Sequence, residues 1–109
     1  MPTNYKVLGQ SAPSAATNTT LYTVPSSTQA VVSTVVVCNT SSSSDAFSIA
    51  VRPAGESIAN KHYIFNGEPI GGNSSFIATV GMTLATTDVI TVFSSNGTSS
   101  FNAYGSELS

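Results

Sequence analysis

His62 is the only histidine of the chain, so any Ser–His–Asp relay would have to be built around it. Such a relay needs a serine hydroxyl within hydrogen-bond reach of the imidazole and a carboxylate to orient the ring. Serine is so abundant that nearness to one means little, and no G-x-S-x-G nucleophile elbow is present. His62 follows Lys61 and opens a short apolar stretch; a structural or surface role is expected of it. The carboxylates, Asp45, Glu56, Glu68, Asp88 and Glu107, stand far apart, in or beside turn signals. Two of them would serve glycoside hydrolysis only if folding set them on either side of a sugar bond. Surface positions are the commoner outcome for such residues.

Metal and cofactor chemistry finds no pattern to work with. There is no C-x-x-C, no H-x-x-x-H and no EF-hand spacing. The segment "IGGNS" has two glycines but no lysine and no following helix, so it is not a phosphate loop. The single Cys38 rules out an internal disulfide and sits within a valine run, as a buried free thiol does. N-x-[S/T] triplets begin at Asn18, Asn39, Asn73 and Asn96, a number that chance supplies in so hydroxyl-rich a chain. No cofactor, no metal and no enzymatic activity are expected.

The elements that would carry any site are strands. Of the 109 residues, 40% are hydrophobic and only 7% charged, against roughly 25% charged in ordinary domains. Serine and threonine make up nearly a third of the chain. Three basic residues, Lys6, Arg52 and Lys61, cannot form the positive face that phosphate binding requires, so no nucleic-acid partner is expected. No apolar run approaches the roughly 18–20 residues of a membrane span. "MPTNYKVLGQ" lacks the basic-then-apolar layout of a signal peptide, so export by that route is not expected.

Period-2 segments recur between turn signals every 8–12 residues or so. "YKVLG" is followed by the small-residue linker "SAPSAATN". "LYTVP" ends at Pro25, which has no ladder hydrogen bond to donate. "AVVSTVVVCN" is apolar on both faces and reads as a central strand covered on both sides. In "AFSIAVRP", Phe47, Ile49 and Val51 alternate with Ser48, Ala50 and Arg52. Asn66–Gly67 favours a tight turn, and "SFIATV" closes at Gly81. The stretch from Val89 to Gly105 reads as a hairpin about Asn96–Gly97. The expectation is an all-β, two-layer antiparallel sandwich of about eight short strands, jelly-roll-like. Residues 1–17 would form an N-terminal strand or arm with its linker, and 18–109 the sandwich domain.

Taken in order, "YKVLGQ", "LYTVP", "VVSTVVVCN", "FSIAVRPAG" and "FNAYGSELS" resemble a group of small virion structural proteins of tailed bacteriophages, notably those infecting cyanobacteria. The likeness runs through nearly the whole chain and carries no catalytic motif. It implies a non-enzymatic building block of the particle, made in the host bacterial cytoplasm. The role it best suggests is a capsid decoration or cement protein on the capsid exterior. Its partners would be the major capsid protein and its own copies, as a homotrimer. A neck, tail or fibre component is the alternative within the same class, and a carbohydrate-binding module using Tyr63 or Tyr104 on host glycans is the alternative outside it. The low charge agrees with assembly, since desolvating charges at a packed interface is costly.

Candidate assembly contacts are Tyr5, Val7, Leu8, Arg52 and Tyr63. Tyr5–Gln10 reads either as an arm anchored on a neighbour by Val7 and Leu8, or as an ordinary edge strand. Arg52, the only arginine, is expected to pair with Glu56 or Asp88, or else with an acid on the capsid. Ser41–Ser44 and Ser94–Ser100 are expected at exposed loop tips.

Overall fold

β-Branched and aromatic residues at alternate positions favour half-buried strands, and the structure, a computed structural model describing residues 3–109, contains eight of them. They are β1 (Thr3–Ser11), β2 (Thr19–Thr23), β3 (Gln29–Asn39), β4 (Asp45–Arg52), β5 (Tyr63–Ile70), β6 (Ser75–Leu84), β7 (Val89–Ser94) and β8 (Ser99–Leu108). Two 3₁₀ turns, Pro53–Gly55 and Asn60–His62, lie between β4 and β5. Among the described residues there is no α-helix. The strands form two four-stranded antiparallel sheets: sheet I in the order β1-β8-β3-β6, and sheet II in the order β2-β7-β4-β5. The expected two-layer all-β sandwich is therefore the fold. Its strand pairs nest, with β1 on β8, β2 on β7, β3 on β6 and β4 on β5.

The core is the single layer between the sheets. Sheet I contributes Val32, Val35, Val37, Phe101 and Ala103, all fully buried, and sheet II contributes Phe47, Ile49, Ile90 and Val92. Phe47 packs against Phe101 with ring centroids 6.1 Å apart. Phe65 and Phe76 meet edge to face at 5.3 Å, joining β5 to β6 across the gap between the sheets. On the opposite side the sheets come closer still. A Cβ on Gly9 would lie 2.2 Å from the carbonyl oxygen of Leu21, so only glycine lets β1 cross β2 here.

Polar ties fix both ends of this layer. Asp45, on sheet II, is buried, and accepts hydrogen bonds from Ser94 Oγ (2.5 Å), Ser99 Oγ (2.6 Å) and the backbone N–H of Asn96 (2.9 Å). Ser99 belongs to sheet I, so one carboxylate holds both sheets. Burial opposes its ionisation, but the bonds from Ser94, Ser99 and the backbone outweigh that and keep its carboxyl below the usual range. At the other end, Tyr22 of β2 donates to Glu107 of β8 at 2.5 Å, and Lys6 lies 3.0 Å from the same carboxylate. The Tyr22 bond leads in lowering the Glu107 carboxyl, against desolvation and with help from Lys6. Burial, then the Glu107 bond and charge, raises the Tyr22 hydroxyl above its ordinary range.

Several local expectations are corrected by the long-range pairing. β7 and β8 do not form a hairpin: the turn at Asn96–Gly97 exists, but it carries the chain from sheet II to sheet I. The bonds to Asp45 hold that crossing, and they bury Ser94 and Ser99, which were expected at a loop tip. Asp45 itself is interior and not a surface acid. Asn66–Gly67 is a bulge inside β5, opposite the single residue Ser48, whose hydroxyl accepts the Gly67 N–H at 3.0 Å. The φ of +67° at Gly67 serves the bulge as it would have served a turn. β6 does not stop at Gly81 but passes through it with an extra residue opposite β3. β3 is central, as expected, but its outer side is open: Val31 and Ser33 are exposed. β1 pairs with β8 from Thr3↔Leu108 to Ser11↔Phe101 and forms an edge of sheet I.

These ties set the pH range of stability. Unfolded carboxyls titrate near pH 4, above folded Asp45 and Glu107, so the unfolded chain binds more protons there. Their contribution is complete above about pH 5 and is lost as acid reaches the folded groups. Tyr22 is held protonated, so its contribution is complete below about pH 10 and is lost as alkali rises past that value. The urea midpoint is expected to be flat between about pH 5 and pH 9 and to fall on both sides. Asp45→Asn should cost about 2 kcal/mol at neutral pH and flatten the acid limb. An acid limb as steep as that of the parent chain would contradict this account.

Candidate functional site

The two outer faces of the sandwich are treated differently. Sheet II is covered in part by the chain between β4 and β5. Arg52 holds that segment: its Nη1 donates to the carbonyls of Gly55 and Glu56 at 3.4 and 2.9 Å, and its Nε donates to Thr91 Oγ1 at 3.0 Å. Asp88 accepts the Ala54 N–H at 2.9 Å and the Ala85 N–H at 2.9 Å, pinning the first 3₁₀ turn. Arg52 is thus bound internally, but to carbonyls and a hydroxyl and not to an acid. Asp88 is taken by backbone donors, and Glu56 turns its carboxylate toward His62 and Lys61.

His62 is buried under this segment. Its Nδ1 accepts the Ala59 N–H at 3.1 Å, which leaves Nε2 to carry the proton and donate to Glu56 Oε1 at 3.2 Å. Its hydrogen-bond partners are thus one carboxylate and one backbone amide, with no serine or threonine hydroxyl. This is the bonding of a positioned structural side chain. A cleft of about 510 Å³ beside it is lined by Val51 of β4, Tyr63 of β5 and Met82 and Leu84 of β6. Among the described residues, no three His, Cys, Asp or Glu side chains gather as metal ligands do.

Among the described residues, none lies over the outer face of sheet I. Register sets the outward residues in rows across β1, β8, β3 and β6. One row is Tyr5, Ser106, Val31 and Thr83; the next is Val7, Tyr104, Thr34 and Thr79. A third is Gln10, Asn102, Val36 and Ile77, in which Gln10 Nε2 donates to Asn102 Oδ1 at 2.7 Å. None of these twelve positions is charged. The nearest charge, Lys6, alternates to the other side of β1 and is neutralised by Glu107. Tyr5 is 85% exposed and Ile77 65%, and Val7, Val31 and Tyr104 are also among the large apolar residues in contact with solvent. Single exposed apolar residues are ordinary; five on one uncharged four-stranded face are not.

Of the residues singled out from sequence, Tyr5 and Val7 lie on this face. Leu8 does not: at the β1 bulge it turns inward and packs against the core. Arg52 and Tyr63 belong to sheet II and its covering segment. Tyr63 and Tyr104 are on different sheets and do not share a surface. Val31 and Ile77 were not singled out. The pattern that marks them is uncharged alternation in β3 and β6, legible only once register sets those strands side by side.

Compared with models of known families, with characterised proteins and with solved structures, the chain matches none.

The exposed positions contribute little to the isolated fold. Tyr5→Ser combined with Ile77→Ser is expected to change unfolding free energy by no more than about 0.5 kcal/mol. Urea titration of the double variant checks this, and a larger loss would place the two side chains in the core.

Proposed function

We propose that this chain is a non-enzymatic structural subunit of a virus particle, acting as a capsid decoration or cement protein that packs against neighbouring subunits. The observation that carries the reading is the bare, uncharged outer face of sheet I. A face with Tyr5, Val7, Val31, Tyr104 and Ile77 in solvent and no charge to desolvate is suited to burial against another protein surface. Tyrosine suits the centre of such contacts, because it offers a large area with little rotamer freedom to lose.

The strand order supports the same reading. Four nested pairs, folded so that β8 also meets β3 and β7 also meets β4, are the connectivity we read as a jelly roll, an architecture shared by viral capsid and lectin domains. The resemblance of the sequence to virion proteins of tailed phages points in the same direction. The partner surfaces would be the major capsid protein and further copies of this chain. A glycan-binding role has less support, because the tyrosines it would use, Tyr63 and Tyr104, face different surroundings. No observation favours a neck, tail or fibre position over the shell.

Quantitative protein analysis of purified particles tests this. The chain should be present in fixed proportion to the shell subunit, and a cryo-EM map should show sheet I facing another subunit. Abundance fitting a single neck or tail ring would end the cement reading. Absence from particles would end the virion reading altogether.

A further inference from the structure

The two sheets guard their edges unequally. Sheet II ends in β2, five residues long, and in β5, which is broken by register shifts and carries Glu68 and Pro69. Short length, bulges, charge and proline are the devices that keep edges from pairing. Sheet I ends in β1, nine residues long, and β6, ten residues long, each with one bulge and no proline. β6, "SFIATVGMTL", has no charged residue, and the one charge of β1, Lys6, is bound to Glu107 of its own chain.

We propose that sheet I continues from one copy of this chain into the next, with β1 of one copy pairing along β6 of its neighbour. This deepens the assembly reading above and rests on it. Polarity permits the pairing: neighbours in sheet I are antiparallel throughout, so β1 and β6, three positions apart, run in opposite directions. A second copy in the same orientation therefore presents β6 antiparallel to β1, and the ladder continues unchanged. The two strands are matched in length and bring no like charges together. The symmetric alternatives fit less well. Pairing β1 with β1 brings two Lys6 side chains near one another, and pairing β6 with β6 puts two bulges, one from each copy, into a single ladder. Head-to-tail pairing uses two different surfaces, and so builds a ring where the rotation between copies closes and an open filament where it does not. The uncharged outer faces then join into one larger surface.

Hydrogen exchange on the full chain at low and high protein concentration tests the pairing, alongside light scattering. Outward amides of both β1 and β6 should slow as concentration rises, while those of β2 and β5 should not. Thr79→Lys with Thr83→Lys, two exposed positions on β6, should weaken association by about tenfold or more, since each puts an unpaired charge on the edge strand, against the uncharged outward row of the neighbouring β1. If the double variant fails to fold, the exchange pattern of the parent chain decides the matter. Slowing in β1 alone, in β6 alone or in neither would overturn the inference, as would a monomer at every concentration. The outcomes separate it from the virion reading: a chain found in particles without this exchange pattern refutes the edge pairing only, and a chain that pairs by these edges but is absent from particles refutes the virion role only.

Discussion

A chain of 109 residues can dry only one layer. In this protein that layer is the space between two four-stranded sheets, and everything else follows from how little lies beyond it. Each strand can give one set of alternate side chains to the core. The other set must face water, a covering loop or another molecule. The phenylalanines Phe47, Phe65, Phe76 and Phe101 concentrate the largest buried area in one half of the layer. Polar groups then fasten its ends, with Asp45 at one and the Tyr22–Glu107–Lys6 group at the other. A buried carboxylate is tolerable in so thin a core only because several donors converge on it.

The outer sets meet different fates. On sheet II, residues 53–62 lie against β4 and β7, and Arg52 ties them down by bonds to Gly55, Glu56 and the buried Thr91. The only arginine is used to hold that cover in place. Among the described residues sheet I has no such cover, and its outward residues are neutral hydroxyl, amide, aromatic and aliphatic side chains. The scarcity of charge thus has a local meaning. What charge there is clusters on sheet II, on its covering segment and at the fastened ends, and it leaves one broad face free of it.

Composition and local pattern revealed the fold class, because alternation is a property of each strand by itself. Phe47, Ile49 and Val51 alternate with polar or small residues in the sequence, and Phe47 and Ile49 are core residues with Val51 packed against them. Pro25 was correctly placed just past a strand end. What alternation cannot report is the partner of a strand. The turn at Asn96–Gly97 looks like a hairpin whether its arms pair or part, and the same dipeptide type at Asn66–Gly67 serves a bulge. The valine run of β3 resembled a doubly covered strand because valine suits an exposed central strand almost as well. Arg52 was expected to choose an acid, but three main-chain and hydroxyl acceptors lie closer in the folded chain. The candidate face was half legible for the same reason. Tyr5 and Val7 stand out within β1, whereas Val31 and Ile77 gain their meaning from sitting in neighbouring rows.

The pairing of β1 with β8 also fixes how the molecule bears mechanical load. Thr3 lies opposite Leu108, so tension applied between these two residues pulls them apart at one end of a shared ladder. The hydrogen bonds then break in succession, like the teeth of a zip, and each carries the whole load in turn. Strands stressed in shear break their bonds together and resist far more. Held by those two points the molecule peels at low force, whereas held across the breadth of sheet I it shares the strain among four strands.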